Sequence, residues 1–526
     1  MHTTTVFWIA AILYSVVCII LGVISWGVKR HSTAGRRIAD YWIGSRELPG
    51  WMLGVSLSAG WLMLGWIGYG ISMVYQMGLS GTWMLFLPWF ILMPIIIWMV
   101  PYVRRLPNIS LPEALEKRFG PSTRTLVAFC SIFVFVSWTG AETYMLGQLA
   151  SPFLKISPVM AMIVFMFPVL VYIGLGGFRA DVTTDVLQFS MMALFVAVLA
   201  VVGYSAAHAQ TGGHILSTLA QTATPNYGAG SMFRLFACGI SLPIILLFAY
   251  MPGWMIEQDL QLRIQGAKTL KEGYRMAWTA LVLVWVFVLA FPLWTAFNAL
   301  VLFPPGVASS AAAIGKDATG IMSAIILKYF PIWAQVLMLV GILATQMSTL
   351  ANFANVTALP LMYDFIQPRL MKKASKETAL RWSRPIQVLA CLLALLYAVN
   401  STSLMDIYVL SSGVLTASIA IPAFAVYWKK ANQLGVVLAA ILGFVGNVGF
   451  YILEYHLWNH VYKPTWMAST YLGYIIVGMV GSLVGLTLGS LLGKPSSAAE
   501  LGVIAPKPLE GVEVFDVVHD SPGTAV

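Results

Sequence analysis

Long apolar runs separated by short polar stretches recur along most of the chain. A helix needs roughly 20 apolar residues to cross a hydrocarbon core about 30 Å thick. We expect thirteen such spans, numbered in chain order, at 6–28, 51–75, 80–103, 125–150, 157–177, 184–207, 233–256, 276–303, 331–358, 386–402, 404–428, 433–455 and 467–492. No strand-length alternation is visible, and backbone amides in lipid must bond within their own segment. The pattern predicts an all-α integral membrane protein.

Composition excludes an ordinary soluble fold. Of 526 residues, 59% are hydrophobic and 10% are charged, against roughly 25% charged residues in soluble domains. The polar groups needed to cover the surface of a soluble protein are not there. The first apolar run has no small-residue cleavage site after it, so we expect a retained transmembrane helix within residues 1–30.

The distribution of lysine and arginine predicts the orientation. If the N-terminus lies outside, 25 of the 30 basic residues (30 minus five) lie on the cytoplasmic side, where such residues accumulate. The other five are Lys155, Arg234, Lys316, Lys328 and Lys463. We therefore expect the N-terminus outside, the C-terminus in the cytoplasm and the chain in the inner (plasma) membrane. The net charge of +10 is then a property of the loops and does not indicate nucleic-acid binding.

The cysteines and histidines have no metal-ligand spacing. All four cysteines fall inside predicted spans, as small apolar packing residues do: Cys18, Cys130, Cys238 and Cys391. The seven histidines include no HExxH motif. The segment 494–526, rich in Pro, Ser, Gly and Glu, predicts a disordered cytoplasmic tail.

Five ordered segments carry a family resemblance. The loop between spans 5 and 6 reads Tyr172-Ile-Gly-Leu-Gly-Gly-Phe-Arg-Ala-Asp-Val-Thr-Thr-Asp185-Val-Leu-Gln188 and resembles the signature of the sodium/solute symporter family. The segments 40–49, 110–120 and 257–263, and Met-Ser-Thr-Leu at 347–350 with Tyr363-Asp364, are similar to further motifs of that family. Glu257 and Leu262 depart from its pattern.

The resemblance implies a leucine-transporter-type fold with two inverted repeats of five helices, in residues 51–207 and 233–428. Two additional helices would follow in 433–492. The first helix of each repeat is expected to be broken near the midplane, which frees backbone groups to bind ions and solute. Glycines and prolines occur at both places, although glycine also serves helix packing: Gly60, Gly65, Gly68, Gly70, Gly239, Pro243, Pro252 and Gly253.

The implied function is sodium-coupled symport of a small organic solute into the cell by alternating access. The chain would be no enzyme and need no organic cofactor, with Na⁺ as coupling ion and a monomer as the simplest state. A proton-coupled symporter using Glu142 or Glu257, and a solute-sensing membrane protein, stay open as alternatives. An integral-membrane enzyme has no nucleophile, metal cluster or phosphate loop in its favour.

The same resemblance implies the sodium ligands. They are the hydroxyls of Ser348 and Thr349 and the backbone carbonyls of Thr345, Trp61 and Leu64. The alternative is that both hydroxyls bond back to the preceding helical turn, as serine and threonine commonly do in lipid.

Carboxylates inside apolar segments are candidates for solute or proton binding. A charge at the bilayer centre costs roughly 2.5 to 3.5 kcal/mol on insertion scales, so Glu142 should face protein or a water-filled cavity. Its alternative is a structural hydrogen bond to a neighbouring helix. Glu257 ends span 7 and either faces the solute or lies at the cytoplasmic interface. Asp185 either caps a helix or serves gating or the ion pathway.

Four aromatic residues lie near the expected breaks and are expected to line the solute site: Trp66, Tyr69, Tyr250 and Trp254. The residues leave the identity of the solute open.

Overall fold

The structure of the protein is a computed structural model. It describes residues 3–27, 46–104, 110–173, 178–228, 230–315, 317–371, 376–401, 404–457 and 472–497. Residues 498–526 of the expected tail, residues 40–45 and the glycine-rich part of the signature at 174–177 lie outside the described residues. Within the described ranges, the regular elements are helices, with two isolated bridges and no strand.

The principal helices are α1 Thr3–Gly27, α2 Gly50–Trp61, α3 Leu64–Met77, α4 Phe86–Val103, α5 Leu111–Phe119, α6 Pro121–Leu154, α7 Pro158–Ile173, α8 Phe178–Gln210, α9 Ser241–Met255, α10 Gln258–Gly266, α11 Leu270–Leu302, α12 Ile321–Tyr329, α13 Ile332–Leu370, α14 Lys376–Asn400, α15 Ile407–Tyr427, α16 Gln433–Ile452 and α17 Gly473–Leu492. Shorter helices, Ile215–Gln221 and Ala308–Ile314, lie in connecting segments.

The number of thirteen spans is not confirmed. Ten helical stretches of the described chain are long and apolar enough to cross a membrane, and Pro158–Val171 is a shorter apolar helix. The count differs because Leu64–Val103 forms one stretch of 40 residues across spans 2 and 3, span 5 is the shorter helix, and the first half of span 7, Ser241–Met255, has 15 residues. Span 3 also begins with a 3-10 segment, Gly78–Met84, and becomes α-helical at Phe86.

The first expected break separates α2 from α3. Leu62 and Met63 leave the helical conformation, with Met63 at φ −78° and ψ 125°. Both residues are buried. The chain therefore stops being helical deep inside the protein, where unpaired backbone groups need other partners.

The second expected break separates α9 from α10. Ile256 and Glu257 are non-helical, with Glu257 at φ −55° and ψ 131°. The expected bounds 233–256 are corrected at both ends: the helix begins at Ser241, and its second half continues to Gly266. The sequence estimate missed α10 because its polar residues do not resemble a membrane helix.

A side chain is also inserted into α9 just before the break. The Gly253 amide donates to Thr416 Oγ1 at 3.1 Å, and Thr416 Oγ1 donates to the Ala249 carbonyl at 2.6 Å. In a regular helix these two backbone groups would bond to each other. The neighbouring Pro252 has no amide hydrogen, so this turn is held partly by α15.

The long helix α13 lies at the centre of the fold. It packs against α6, α8 and α2. Residues 341–359 of α13 are buried without interruption, although α13 carries many polar side chains. This burial places the hydroxyls of its middle turns against α2 and α8.

Candidate functional site

Glu142 of α6 interacts with the first break. Its Oε2 accepts from the Gly65 amide at 3.0 Å, and its Oε1 accepts from the Tyr408 hydroxyl. With its amide nitrogen facing the carboxylate, Gln346 donates to Oε2 at 3.2 Å. The carboxylate is fully buried. Glu142 thus accepts hydrogen bonds at the N-terminal end of α3, where an anion also interacts favourably with the helix dipole.

This contact changes the hydrogen bonding at the end of α2. In an unbroken helix the Gly65 amide would donate to the carbonyl of Trp61, four residues earlier. Because the Gly65 amide donates to Glu142 instead, the Trp61 carbonyl loses its usual helical donor. Leu64 is the first residue of α3, so its carbonyl is placed to accept from a backbone amide one turn later in the same helix. Of the two carbonyls expected to bind sodium, that of Trp61 is therefore more available than that of Leu64.

An aromatic cluster surrounds Trp66 on the other side of the break. The rings of Trp66 and Tyr408 are stacked with centroids 4.2 Å apart, and those of Tyr250 and Trp254 are stacked at 4.6 Å. Trp66 also meets Trp254 edge-on at 5.6 Å. Tyr69 lies 6.1 Å from Tyr408. The four aromatic residues expected at the solute site thus lie in one buried cluster.

Several indole N–H groups of this cluster have no hydrogen-bond partner among the described residues. They belong to Trp66, Trp89 and Trp138. Trp89 contacts Trp254 at 5.3 Å between centroids, and Trp138 contacts Trp66 at 6.2 Å. A buried donor without an acceptor costs roughly 1 to 3 kcal/mol. The cluster therefore offers donors to a bound molecule that carries acceptor oxygens.

The three expected sodium ligands of α13 are buried close to one another. Thr349 Oγ1 donates to the Thr345 carbonyl at 3.0 Å, which is a bond back to the preceding turn. Ser348 Oγ instead donates to Asp185 Oδ1 at 2.9 Å. Hydroxyl, carbonyl and carboxylate oxygens are the ligands that hard cations prefer. These oxygen atoms are therefore suitable ligands for a sodium ion.

Asp185 lies inside α8, about two turns after the helix begins at Phe178. The interpretation of Asp185 as a helix cap is therefore wrong, since the helix starts earlier than the expected span at 184. Its Oδ2 accepts from Ser56 Oγ of α2 at 2.6 Å. Asp185 thus bridges α2 to Ser348 of α13.

Arg263 of α10 lies beside this carboxylate. Its Nη2 is 3.6 Å from Asp185 Oδ2, and its Nη1 forms an ion pair with Asp259. Gly60, near the end of α2, lies so close that a Cβ there would be 3.5 Å from Arg263 Nη2. The first half of the first broken helix, α2, and the second half of the second, α10, therefore meet at one charged cluster.

Glu257 lies at the second break and is 3% exposed. The chain continues beyond it as the buried helix α10, and the choice between the solute site and the cytoplasmic interface stays a prediction. Among the described residues, no group of three His, Cys, Asp or Glu side chains could hold a metal ion.

Sequence reasoning missed several members of these clusters. They are Ser56, Trp89, Asp259, Arg263, Gln346, Asn352 and Tyr408. A signal existed for Asp259 and Arg263, which belong to the motif 257–263. Tyr408 lies in an apolar span, where nothing in the local pattern distinguishes it. Gln346 lies directly before the motif 347–350, but its contact with Glu142 depends on packing between helices.

Comparison with known families gives a match over most of the chain. The sequence model of the Sodium:solute symporter family matches residues 41–443. The Sodium/sialic acid symporter NanT of Aliivibrio fischeri is 22% identical over 470 residues, which cover 86% of this chain and 87% of that protein. The Sodium/glucose cotransporter of Vibrio parahaemolyticus is 24% identical over 468 residues, covering 82% of each chain.

The structure also resembles a solved transporter. A substrate-bound, outward-open Na⁺-coupled sialic acid symporter superimposes with a TM-score of 0.72 at 20% identity, covering 94% of this chain and 99% of the other. At this identity the likeness concerns the fold alone. It confirms the expected all-α inverted-repeat architecture with a broken first helix in each repeat.

Proposed function

Because the chain belongs to the sodium:solute symporter family, with Na⁺ as the coupling ion of a multi-pass membrane transporter, we propose that it drives uptake of a small organic solute by alternating access. The observation that carries this proposal is the carboxylate of Asp185, which joins both broken helices, through α2 and α10, to the Ser348 hydroxyl of α13. Such breaks are where transporters of this architecture bind ions and solutes.

For sodium, we propose the hydroxyls of Ser348 and Thr349 with the carbonyls of Thr345, Trp61 and Leu64. The Trp61 carbonyl is supported by the diversion of the Gly65 amide to Glu142. The Leu64 carbonyl is the weakest member, since it lies in the first turn of α3. Asp185 serves the ion pathway, since its carboxylate is hydrogen-bonded to Ser348.

For the solute, the aromatic cluster with Trp66, Tyr69, Tyr250 and Trp254 is the proposed site. Its indole donors favour a solute with oxygen acceptors, and its ring faces favour an apolar or planar portion beside them. Curated relatives are named for different solutes, sialic acid and glucose among them. These names do not select one solute for this chain.

Glu142 and Glu257 remain proposed members of the solute site, in different ways. Glu142 would act through α3, whose first turn carries Trp66, because its oxygens already bond to Gly65 and Tyr408. Glu257 lies at the second break, three residues after Trp254. If both face the cavity, an amine-bearing solute is favoured.

Alternating access requires the inner halves of the broken helices to move. With the N-terminus outside, α2 and α10 are the cytoplasmic halves, and the Asp185 cluster joins them. A cavity of about 390 Å³ adjoins α10, with Ile256 and Gln261 in its lining. This space would accommodate a displacement of α10 when the cluster opens.

The test is transport by the purified protein in liposomes with an imposed sodium gradient. Ser348→Ala combined with Thr349→Ala should abolish the response of uptake to sodium. Thr357→Ala is the matched control, because Thr357 lies on α13, is buried and donates back to the Phe353 carbonyl at 2.6 Å. Unchanged sodium dependence in the double variant would refute the site.

Proton coupling on the same fold is the second candidate. It is favoured by the full burial of Glu142 and the near-complete burial of Glu257. Uptake that persists without sodium, follows a pH gradient and fails in Glu142→Gln would support it. Uptake that follows sodium alone would reject it.

A further inference from the structure

Arg263 is a fixed positive charge next to the proposed sodium site. Its side chain is 1% exposed, and Nη2 lies 3.6 Å from Asp185 Oδ2. Its Nε donates to Ser56 Oγ at 3.1 Å, and Ser56 donates to the same Asp185 oxygen at 2.6 Å. A guanidinium from the second broken helix therefore compensates Asp185 in this structure.

The other oxygen of Asp185 accepts from Ser348 at 2.9 Å. A sodium ion held by Ser348 would thus lie close to the carboxylate that Arg263 already compensates. Two cations near one buried carboxylate repel each other, and water screens this repulsion little in a buried site. Sodium and the guanidinium therefore compete for the same negative charge.

Asp259 interacts with the other terminal nitrogen of Arg263. It lies one turn earlier on α10 and pairs with Nη1, and its side chain is fully buried. Asn352 of α13 accepts from Nη2 at 3.3 Å. The guanidinium is thus shared between Asp185 on α8 and Asp259 on its own helix. A small shift towards Asp259 would leave Asp185 more negative.

We propose that Arg263 is a tethered competitor of the coupling ion. It compensates Asp185 when sodium leaves towards the cytoplasm, and it shifts to Asp259 when sodium binds. The role rests on the sodium-coupled symport proposed above and specifies how ion release is regulated. Arg263 is a positioning residue in this scheme, since it acts on sodium through Asp185. It keeps the sodium-free carboxylate from attracting another monovalent cation during the return step.

The experiment measures sodium-dependent thermal stabilisation of the full-length protein in lipid nanodiscs, followed by tryptophan fluorescence. Sodium chloride replaces potassium chloride at constant total salt. Arg263→Gln removes the competitor and should lower the half-saturating sodium concentration at least threefold. Asp259→Asn removes the carboxylate that draws Arg263 away, and should raise that concentration at least threefold.

Opposite shifts are the signature of competition. A merely structural network would lower the unfolding temperature in both variants and move the half-saturating concentration in one direction, and that result would overturn the proposal. Unchanged half-saturation in both variants would overturn it as well. Arg263→Lys keeps the positive charge but changes its geometry. Its half-saturating sodium concentration should lie between those of wild type and Arg263→Gln, so this variant replaces the glutamine variant if the latter does not fold.

Arg275→Gln is the matched control, because Arg275 is 60% exposed and pairs locally with Glu272, three residues earlier. Its half-saturating sodium concentration should equal that of wild type. A wild-type protein without any sodium-dependent stabilisation would instead count against the proposed function. The two failures are therefore distinguishable.

Discussion

Replacing Glu142 with alanine is expected to weaken sodium binding through the backbone. The Gly65 amide donates to Glu142 Oε2 at 3.0 Å. Without that acceptor, the amide can return to the Trp61 carbonyl, its partner in a continuous helix. The sodium site then loses one of its five proposed oxygen ligands. One helical hydrogen bond, from the Gly65 amide to the Trp61 carbonyl, would then form across the break between α2 and α3.

The magnitude follows from the strength of a single contact with a charge. A hydrogen bond to a charged group contributes roughly 1.5 to 3 kcal/mol, and we assign a similar free energy to the carbonyl–sodium contact. Since about 1.4 kcal/mol changes an equilibrium constant tenfold, the half-saturating sodium concentration should rise about ten- to a hundredfold. Glu142→Gln keeps one acceptor oxygen for Gly65 and should give a smaller rise.

Sodium titrations of thermal stability and of uptake in liposomes measure this effect. The matched control is Thr139→Val, one turn earlier on α6, because Thr139 is buried and bonds back to the Phe135 carbonyl at 2.6 Å. That variant should bind sodium as wild type does. A folded Glu142→Ala protein with wild-type sodium affinity would refute the reasoning that Glu142 keeps the Trp61 carbonyl available.

Three further variants test neighbouring features. Gly65→Ala should lower the unfolding temperature markedly, because its Cβ would collide with the Tyr408 hydroxyl; a wild-type melting curve would contradict the close approach. Trp66→Phe keeps an aromatic ring but removes an indole donor without a partner, so solute affinity should fall about tenfold for a bond of about 1.4 kcal/mol, while thermal stability changes little. Ser110→Ala should destabilise by roughly 1 to 2 kcal/mol, since Ser110 caps α5 and donates to Asp364 at 2.7 Å; chemical denaturation reports the loss.

The sequence predicts the architecture well because membrane helices are marked by length and hydrophobicity. Both broken helices were expected, and both are present. The exact bounds of the second were wrong because α10 is polar and yet fully buried. Its charges are compensated by residues of α2, α8 and α13, which are distant in sequence. No local sequence pattern predicts these contacts between distant residues.

The candidate site was predicted in part for a related reason. Ser348 and Asp185 stood out as motif residues, but their hydrogen bond joins positions 163 residues apart. Tyr408 donates to Glu142 across 266 residues, and a tyrosine in an apolar span looks like any interfacial aromatic. Contacts of this kind depend on tertiary packing, which a single sequence does not reveal.

The inserted hydroxyl of Thr416 has a mechanical consequence. The Thr416 hydroxyl accepts from the Gly253 amide and donates to the Ala249 carbonyl. This turn of α9 can therefore lengthen while both backbone groups keep a hydrogen-bond partner. A rotation of α15 would pull directly on the turn that precedes Ile256. Helix α15 is thereby connected to the last turn of α9 before the second break, and a serine in place of Thr416 would keep both hydrogen bonds, which a valine would remove.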